Sequence, residues 1–191
     1  MPTKPRITRE MILEAAYAIA REQGAEQINA RTISKRLGCS TQPVLYYFDR
    51  IQDIRREVYR MADEAQTAFL MQFPEDADPM VTIGLNYIRF AAEEKHLFRM
   101  LFQSDSVSGQ SIADLVDVPD LIPVLEIFQR EAGLSAEQTK LVFKTLAMLV
   151  HGCASMLANN SMEYNEAEII PMLETAFMGM VGAMKMEDTQ P

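Results

Sequence analysis

By type, His151 and Cys153 are the side chains most suited to covalent chemistry, since an imidazole beside a thiol is a nucleophile couple. They are two positions apart, and on a helix that turns them about 200° away from each other, so they cannot share a proton. Glu93 and His96, three apart, would suit one edge of a metal site on a helix, but no further ligand follows. Cys39 and Cys153 stand in unrelated contexts without metal spacing, and Cys39 reads as a small filler inside a turn. There is no glycine-rich phosphate loop and no paired carboxylate in a cleft-like context. With only two histidines in 191 residues, a small all-helical enzyme is a poor reading. No cofactor and no metal is expected.

Cations remain, and they are unevenly placed. The net charge is −9. Residues 1–60 carry 11 Lys/Arg against 7 Asp/Glu, a balance of +4, while residues 61–191 carry 7 against 20, a balance of −13. The first third can therefore face a polyanion that would repel the remainder. The Lys35-Arg36 pair belongs to this basic segment and is either a solvated helix face or a contact to a nucleic-acid backbone.

The elements that must position these charges are helices almost throughout, and the expected fold class is all-α with about nine helices. Thr8 caps a first helix, Arg9 to Gln23, with Ile12, Ala16 and Ile19 on one face and Gly24 as its stop. Asn29 caps a short second helix, Ala30 to Leu37. Gly38 turns the chain, and Ser40 is expected to cap a third helix, Thr41 to Phe48. A fourth runs from about Ile51 to Phe73. An acidic turn, Glu75 to Asp78, precedes a helix from about Met80 to Glu94, and His96 to Phe102 forms a short apolar one. Ser104 to Ser111 reads as a loop, and Pro119 and Pro123 mark entry to a helix ending near Gly133. Ser135 opens the longest helix, through about Ala158. Asn165 with Glu168 resembles a capping box for the last helix, and Pro171 requires either a kink or a start near Ile169.

Two short helices around a tight turn, the second projecting polar side chains, make a helix-turn-helix. Ile33 and Leu37 give the first its inner face; Val44, Tyr47 and Phe48 give the second its own. Thr41, Gln42, Pro43, Leu45 and Tyr46 then fall nearer solvent. The run Ile28-Asn29-Ala30-Arg31-Thr32-Ile33-Ser34-Lys35-Arg36-Leu37-Gly38-Cys39-Ser40, followed by Val44 and Tyr47-Phe48, resembles the DNA-binding domain of the TetR/AcrR regulators. Ile12 to Ala16 and Gly24 match that family's first helix. The specific likeness covers about the first 55 residues, with a family-like Val150-His151-Gly152 beyond it.

The resemblance implies a division into residues 6–66, a helix-turn-helix DNA-binding domain, and residues 67–191, a ligand-binding and dimerisation domain. It implies double-stranded operator DNA as partner. Arg31 would reach a base edge or phosphate; Ser40, Thr41, Gln42, Pro43 and Leu45 would lie at the major groove; Lys35, Tyr46 and Tyr47 would meet the backbone. Lys4 and Arg6 would extend as an arm. The chain departs from the family at Leu45, where tyrosine is common, and at Ile51, where lysine is common, which suggests altered affinity or operator sequence. The resemblance further implies a homodimer that represses transcription and is released by a small-molecule effector, with Tyr87, Phe90, Phe98, Phe102, Phe128, Met148 and His151 as candidate effector contacts. Leu141, Thr145, Met148 and Gly152, with Leu173, Phe177, Met180 and Met184, are the expected dimer faces. Gly152, Gly179 and Gly182 would allow close helix approach. No apolar run reaches the roughly 18 residues of a membrane span, so a cytoplasmic protein without membrane contact is expected. The rival reading is a ligand-binding or protein-interaction module with a vestigial DNA-binding unit.

Overall fold

The computed structural model describes residues 7–74, 78–104, 121–160 and 162–187. Among them it is all-helical. The elements are α1 (Arg9–Gln23), a 3-10 turn (Ala25–Gln27), α2 (Ala30–Leu37), α3 (Gln42–Tyr47), α4 (Ile51–Leu70), α5 (Pro79–Glu93), α6 (Lys95–Phe102), α7 (Ile122–Ala132), α8 (Ala136–Asn159) and α9 (Glu166–Glu187). The chain forms two compact units: Met1–Ala68 with Glu94–Ser106, and Phe69–Glu93 with Val107–Pro191.

Local chemistry sets the helix ends. The Thr8 hydroxyl accepts the Met11 N–H at 3.3 Å, satisfying one orphan donor of α1. The Asn29 side chain accepts from Arg31 and Thr32 N–H, both at 3.0 Å, and Thr32 Oγ1 accepts the Asn29 N–H in return, completing a capping box. Ser135 and Gln138 repeat that arrangement at α8. Pro123 sits in the first turn of α7, where its missing N–H costs nothing.

In the first unit α1 packs against α2, α3 and α6. Ile12, Ile19, Ile28, Ile33, Val44, Ile54 and Val58 are almost completely buried, and α6 adds Leu97, Phe98 and Leu101 to this unit's interior. Each such side chain contributes roughly 1.5–3 kcal/mol of burial. In the second unit α5 packs against α8 and α9, with α7 against α8. Gly84 lets α5 come close: a Cβ there would lie 3.3 Å from Val150 Cγ2 and 3.5 Å from Leu173 Cδ1.

Several boundaries differ from the sequence expectation. The third helix starts at Gln42, one turn residue later, with Thr41 at its cap position and no side-chain cap bond from Ser40. Helix α4 ends at Leu70, not Phe73. Glu93 and His96 lie on different helices because the chain breaks at Glu94, so they share no helix face. Helix α9 begins at Glu166 and runs through Pro171 without restarting near Ile169. The largest difference concerns the inner face of α9. Leu173 is buried, and Phe177, Met180 and Met184 pack on the cluster of Phe128, Ala132, Val142 and Leu146, so this stripe belongs to the unit's own core. Glu75 to Ala77, the loop beyond Ser104, and Pro119 lie outside the described residues, as do Lys4 and Arg6.

Candidate nucleic-acid interface

Two helices and one turn position the candidate surface. Gly38 adopts φ +63°, the left-handed conformation that glycine takes without a Cβ penalty. Its N–H donates to Lys35 O at 3.3 Å and the Cys39 N–H donates to Ser34 O at 3.0 Å, the pair of bonds that closes a Schellman motif. Cys39 is therefore held by its backbone, half-buried in the turn. Leu45 N–H reaches Thr41 O at 3.1 Å and Phe48 N–H reaches Val44 O, also at 3.1 Å, so α3 is short but regular. Pro43 falls in its first turn, where no backbone bond is lost.

Val44 and Phe48 point inward and are buried. The outward side carries Ser40, Gln42, Leu45 and Tyr46, all exposed, with Tyr46 at 77 % and Leu45 at 61 %. Thr41, Pro43 and Tyr47 are half-buried beside them. Tyr46 and Tyr47 meet edge to face, ring centroids 5.1 Å apart. On α2, Arg31 and Lys35 are exposed and one turn apart, hence on one face.

Contacts the sequence did not signal hold this surface in place. The Arg9 guanidinium donates to Glu57 Oε1 at 3.1 Å, linking α1 to α4. Arg36 makes a two-pronged pair with Glu22, both bonds 2.7 Å, linking α2 to α1. Arg55 donates to Ile28 O at 3.2 Å and Glu26 O at 3.4 Å, tying α4 to the connection before α2. The guanidinium partners hold the Glu22 and Glu57 carboxyls below the ordinary glutamate range.

The candidate effector residues are dispersed. Phe98 and Phe102 belong to α6 in the first unit, their rings 5.1 Å apart. In the second unit Phe90 is buried against Phe69, Phe128 is fully buried against Phe177, and Met148 is 57 % exposed. Tyr87 and His151 meet: the hydroxyl lies 2.9 Å from Nδ1. Burial pushes the Tyr87 hydroxyl well above the ordinary tyrosine range and lowers the His151 imidazole. Burial also raises the Cys153 thiol, which keeps it protonated. A separate cleft of about 580 Å³ opens in this unit, lined by residues that include Phe73, Leu85, Asn86, Arg89, Glu166 and Ile170. None of the seven candidates lines it.

A helix-turn-helix with an outward, polar-aromatic second helix, followed by a bundle of longer helices, defines a class of DNA-binding regulator. No family model matches the chain. Over 178 residues, 87 % of this chain and 89 % of the relative, it is 28 % identical to the HTH-type transcriptional regulator BetI of Vibrio parahaemolyticus serotype O3:K6 (strain RIMD 2210633). Among solved structures, 97 % of the chain superposes on all of a single-residue variant of TetR from Acinetobacter baumannii AYE, a protein in complex with minocycline, with TM-score 0.55 and 10 % identity. A TetR transcriptional regulator from Rhodococcus sp. RHA1 aligns over 92 % of this chain and 97 % of its own, with TM-score 0.45 and 17 % identity. The chain is thus similar over most of its length to an HTH-type transcriptional regulator, and it shares the fold of a TetR protein.

Proposed function

We propose that the chain is a cytoplasmic repressor, not an enzyme, which binds its operator as a homodimer and is released by a small molecule taken up in the second unit. One observation carries the DNA side of this reading: Gln42, Leu45 and Tyr46 stand exposed on a helix fixed by the Gly38 turn, flanked by the exposed cations Arg31 and Lys35. Gln42 suits adenine, Arg31 suits guanine or phosphate, and Ser40, Thr41, Pro43, Tyr46 and Tyr47 suit the groove edge and backbone.

Two exposed stripes support the homodimer. On α8, Leu141, Thr145, Met148 and Gly152 are exposed at alternating four- and three-residue spacing. On α9 the exposed stripe is Met172, Thr175, Gly179, Gly182 and Met186. Among the described residues, nothing beyond the helix's own neighbouring turns lies within 4 Å of a Cβ placed at Gly152, Gly179 or Gly182, which leaves room for close approach by a second copy. Both helices are also long and apolar enough to span a membrane, with mean hydropathy 1.6 and 1.3. Lys140 and Lys144 on α8 and Glu174 and Lys185 on α9 favour a protein partner over lipid. A two-fold pairing of the stripes forms a four-helix interface and sets two recognition helices roughly 34–36 Å apart, one turn of duplex.

For release, an effector in the second unit shifts the population toward a spacing that no longer matches DNA, acting along α4, whose residues pass from the first unit into the second. The minocycline-bound protein of the same fold is the precedent for such a ligand. Tyr87 with His151 is the polar spot most suited to an effector's hydrogen-bonding group.

The test is a gel shift on the DNA upstream of the protein's own gene. A retarded band that weakens with salt is expected. Absence of binding at low salt would favour the interaction module, a reading motivated by apolar Leu45 at 61 % exposure where the family often has tyrosine.

A further inference from the structure

We propose that Arg50 grips a phosphate of the DNA backbone, a role that rests on the DNA-binding reading above. The inference comes from asking which cations of the first unit are already in use. Between residues 7 and 60 there are nine arginines and lysines. Arg9 and Arg60 pair with Glu57, at 3.1 and 3.3 Å, and Arg36 pairs with Glu22 at 2.7 Å. Arg56 lies 3.9 Å from Asp53, and Arg21 pairs with Glu94. Arg55 spends its guanidinium on two backbone carbonyls. Six of the nine are thus engaged inside the unit. Arg31, Lys35 and Arg50 have neither a hydrogen-bond nor an ion-pair partner for their side chains among the described residues, and all three are exposed.

An arginine paired to a carboxylate has part of its charge offset locally, whereas an unpaired one presents its whole charge to a polyanion. The three free cations are therefore the ones best able to attract a duplex. Two already belong to α2 of the helix-turn-helix. The third, Arg50, lies three residues beyond the last residue of α3, immediately before α4 begins at Ile51. Its position is unfavourable for stability. A cation at the start of a 20-residue helix opposes the helix dipole, and the first-turn carboxylate there, Asp53, lies 3.9 Å from Arg56 and is not paired with Arg50. Arg31, in the first turn of α2, carries the same cost. A charge that breaks a local rule without a structural partner points to use outside the fold. Arg50 also answers the departure at Ile51. That side chain is half-buried, while the neighbouring position turns a guanidinium outward.

The experiment measures binding of the full-length protein to a labelled random-sequence duplex across a salt series. For the wild type, log K falls linearly with log salt concentration. Arg50→Gln should flatten that slope by about one per bound protomer, with a thermal unfolding midpoint no lower than the wild type's, and Arg50→Lys should restore the slope. Arg60→Gln, which removes a cation already paired, should leave the slope at the wild-type value. A wild-type slope in Arg50→Gln overturns the proposal, as does equal flattening in Arg60→Gln. If the wild-type protein fails to bind any duplex at low salt, the DNA reading itself falls and this inference with it.

Discussion

Arg9 lies over the ring of Phe48, its guanidinium carbon 5.0 Å from the ring centroid, while the same guanidinium donates to Glu57. Phe48 is the C-cap residue that directly follows α3. One side chain from the start of α1 thus holds the end of the recognition helix and the flank of α4. Cation–ring contacts at exposed sites contribute about 0.5–1 kcal/mol. Arg9→Ala should lower the unfolding free energy from urea titration by that order and weaken operator binding without changing its salt slope. Glu57→Gln should do less. A flattened slope in Arg9→Ala would show instead that Arg9 touches phosphate.

On the proposed reading, the exposed Arg31 of α2 reads sequence. Arg31→Ala should cost about 1–3 kcal/mol of operator affinity and relax preference at one base pair, measured by competition with single-base operator variants. Equal weakening on random DNA would reassign it to the backbone. Lys35→Ala should behave in that second way, lowering the salt slope by about one.

Burial of His151 gives the second unit a pH dependence of definite sign. The folded imidazole is lowered from 6.5 by burial. The unfolded chain therefore binds the proton first as pH falls below 6.5, and stability rises with pH over that window. Thermal unfolding midpoints should fall from about pH 7 toward about pH 5 more steeply in the wild type than in His151→Asn. Parallel curves would show that the histidine titrates alike in both states.

The exposed stripes make a prediction about assembly. Gly152→Phe adds a side chain where, among the described residues, a Cβ meets nothing within 4 Å beyond its own helix, so the monomer should fold normally. If α8 pairs with its copy there, sedimentation should show a shift to monomer and operator affinity should drop at least tenfold. A dimer of wild-type strength would place the interface elsewhere.

Much of the first unit was legible because its signals are local. Thr8, Asn29 and Gly38 each act on backbone groups within a few residues, and the structure forms those caps. The third helix was blurred because Ser40 and Thr41 are both acceptable caps and neither hydroxyl forms the bond. The orientation of α9 was illegible for a different reason. It is apolar on every side, with Met172 and Met178 outward and Phe177 and Met180 inward, so periodicity selects no face. The use of each arginine was hidden by distance along the chain. Arg36 and Glu22 are 14 residues apart, Arg9 and Glu57 are 48, and Arg21 and Glu94 are 73. Spacing in a sequence says nothing about such partners. The effector contacts were chosen by residue type alone, and type does not separate a packed phenylalanine such as Phe128 from one that faces a ligand.

The grouping of α6 with α1 to α4 has a consequence for anyone cutting the gene. The chain leaves the first unit after Ala68 and returns to it at Glu94. Leu97, Phe98 and Leu101 come back with it, Arg21 clasps Glu94, and the Tyr59 hydroxyl reaches Leu101 O at 3.3 Å. A fragment ending near residue 66 would be a house with one wall missing, its greasy interior open to water and prone to clump. The DNA reader cannot be lifted out as an N-terminal cassette. Portable versions must keep the later segment, either by spanning both crossings or by grafting a short linker in place of the excursion.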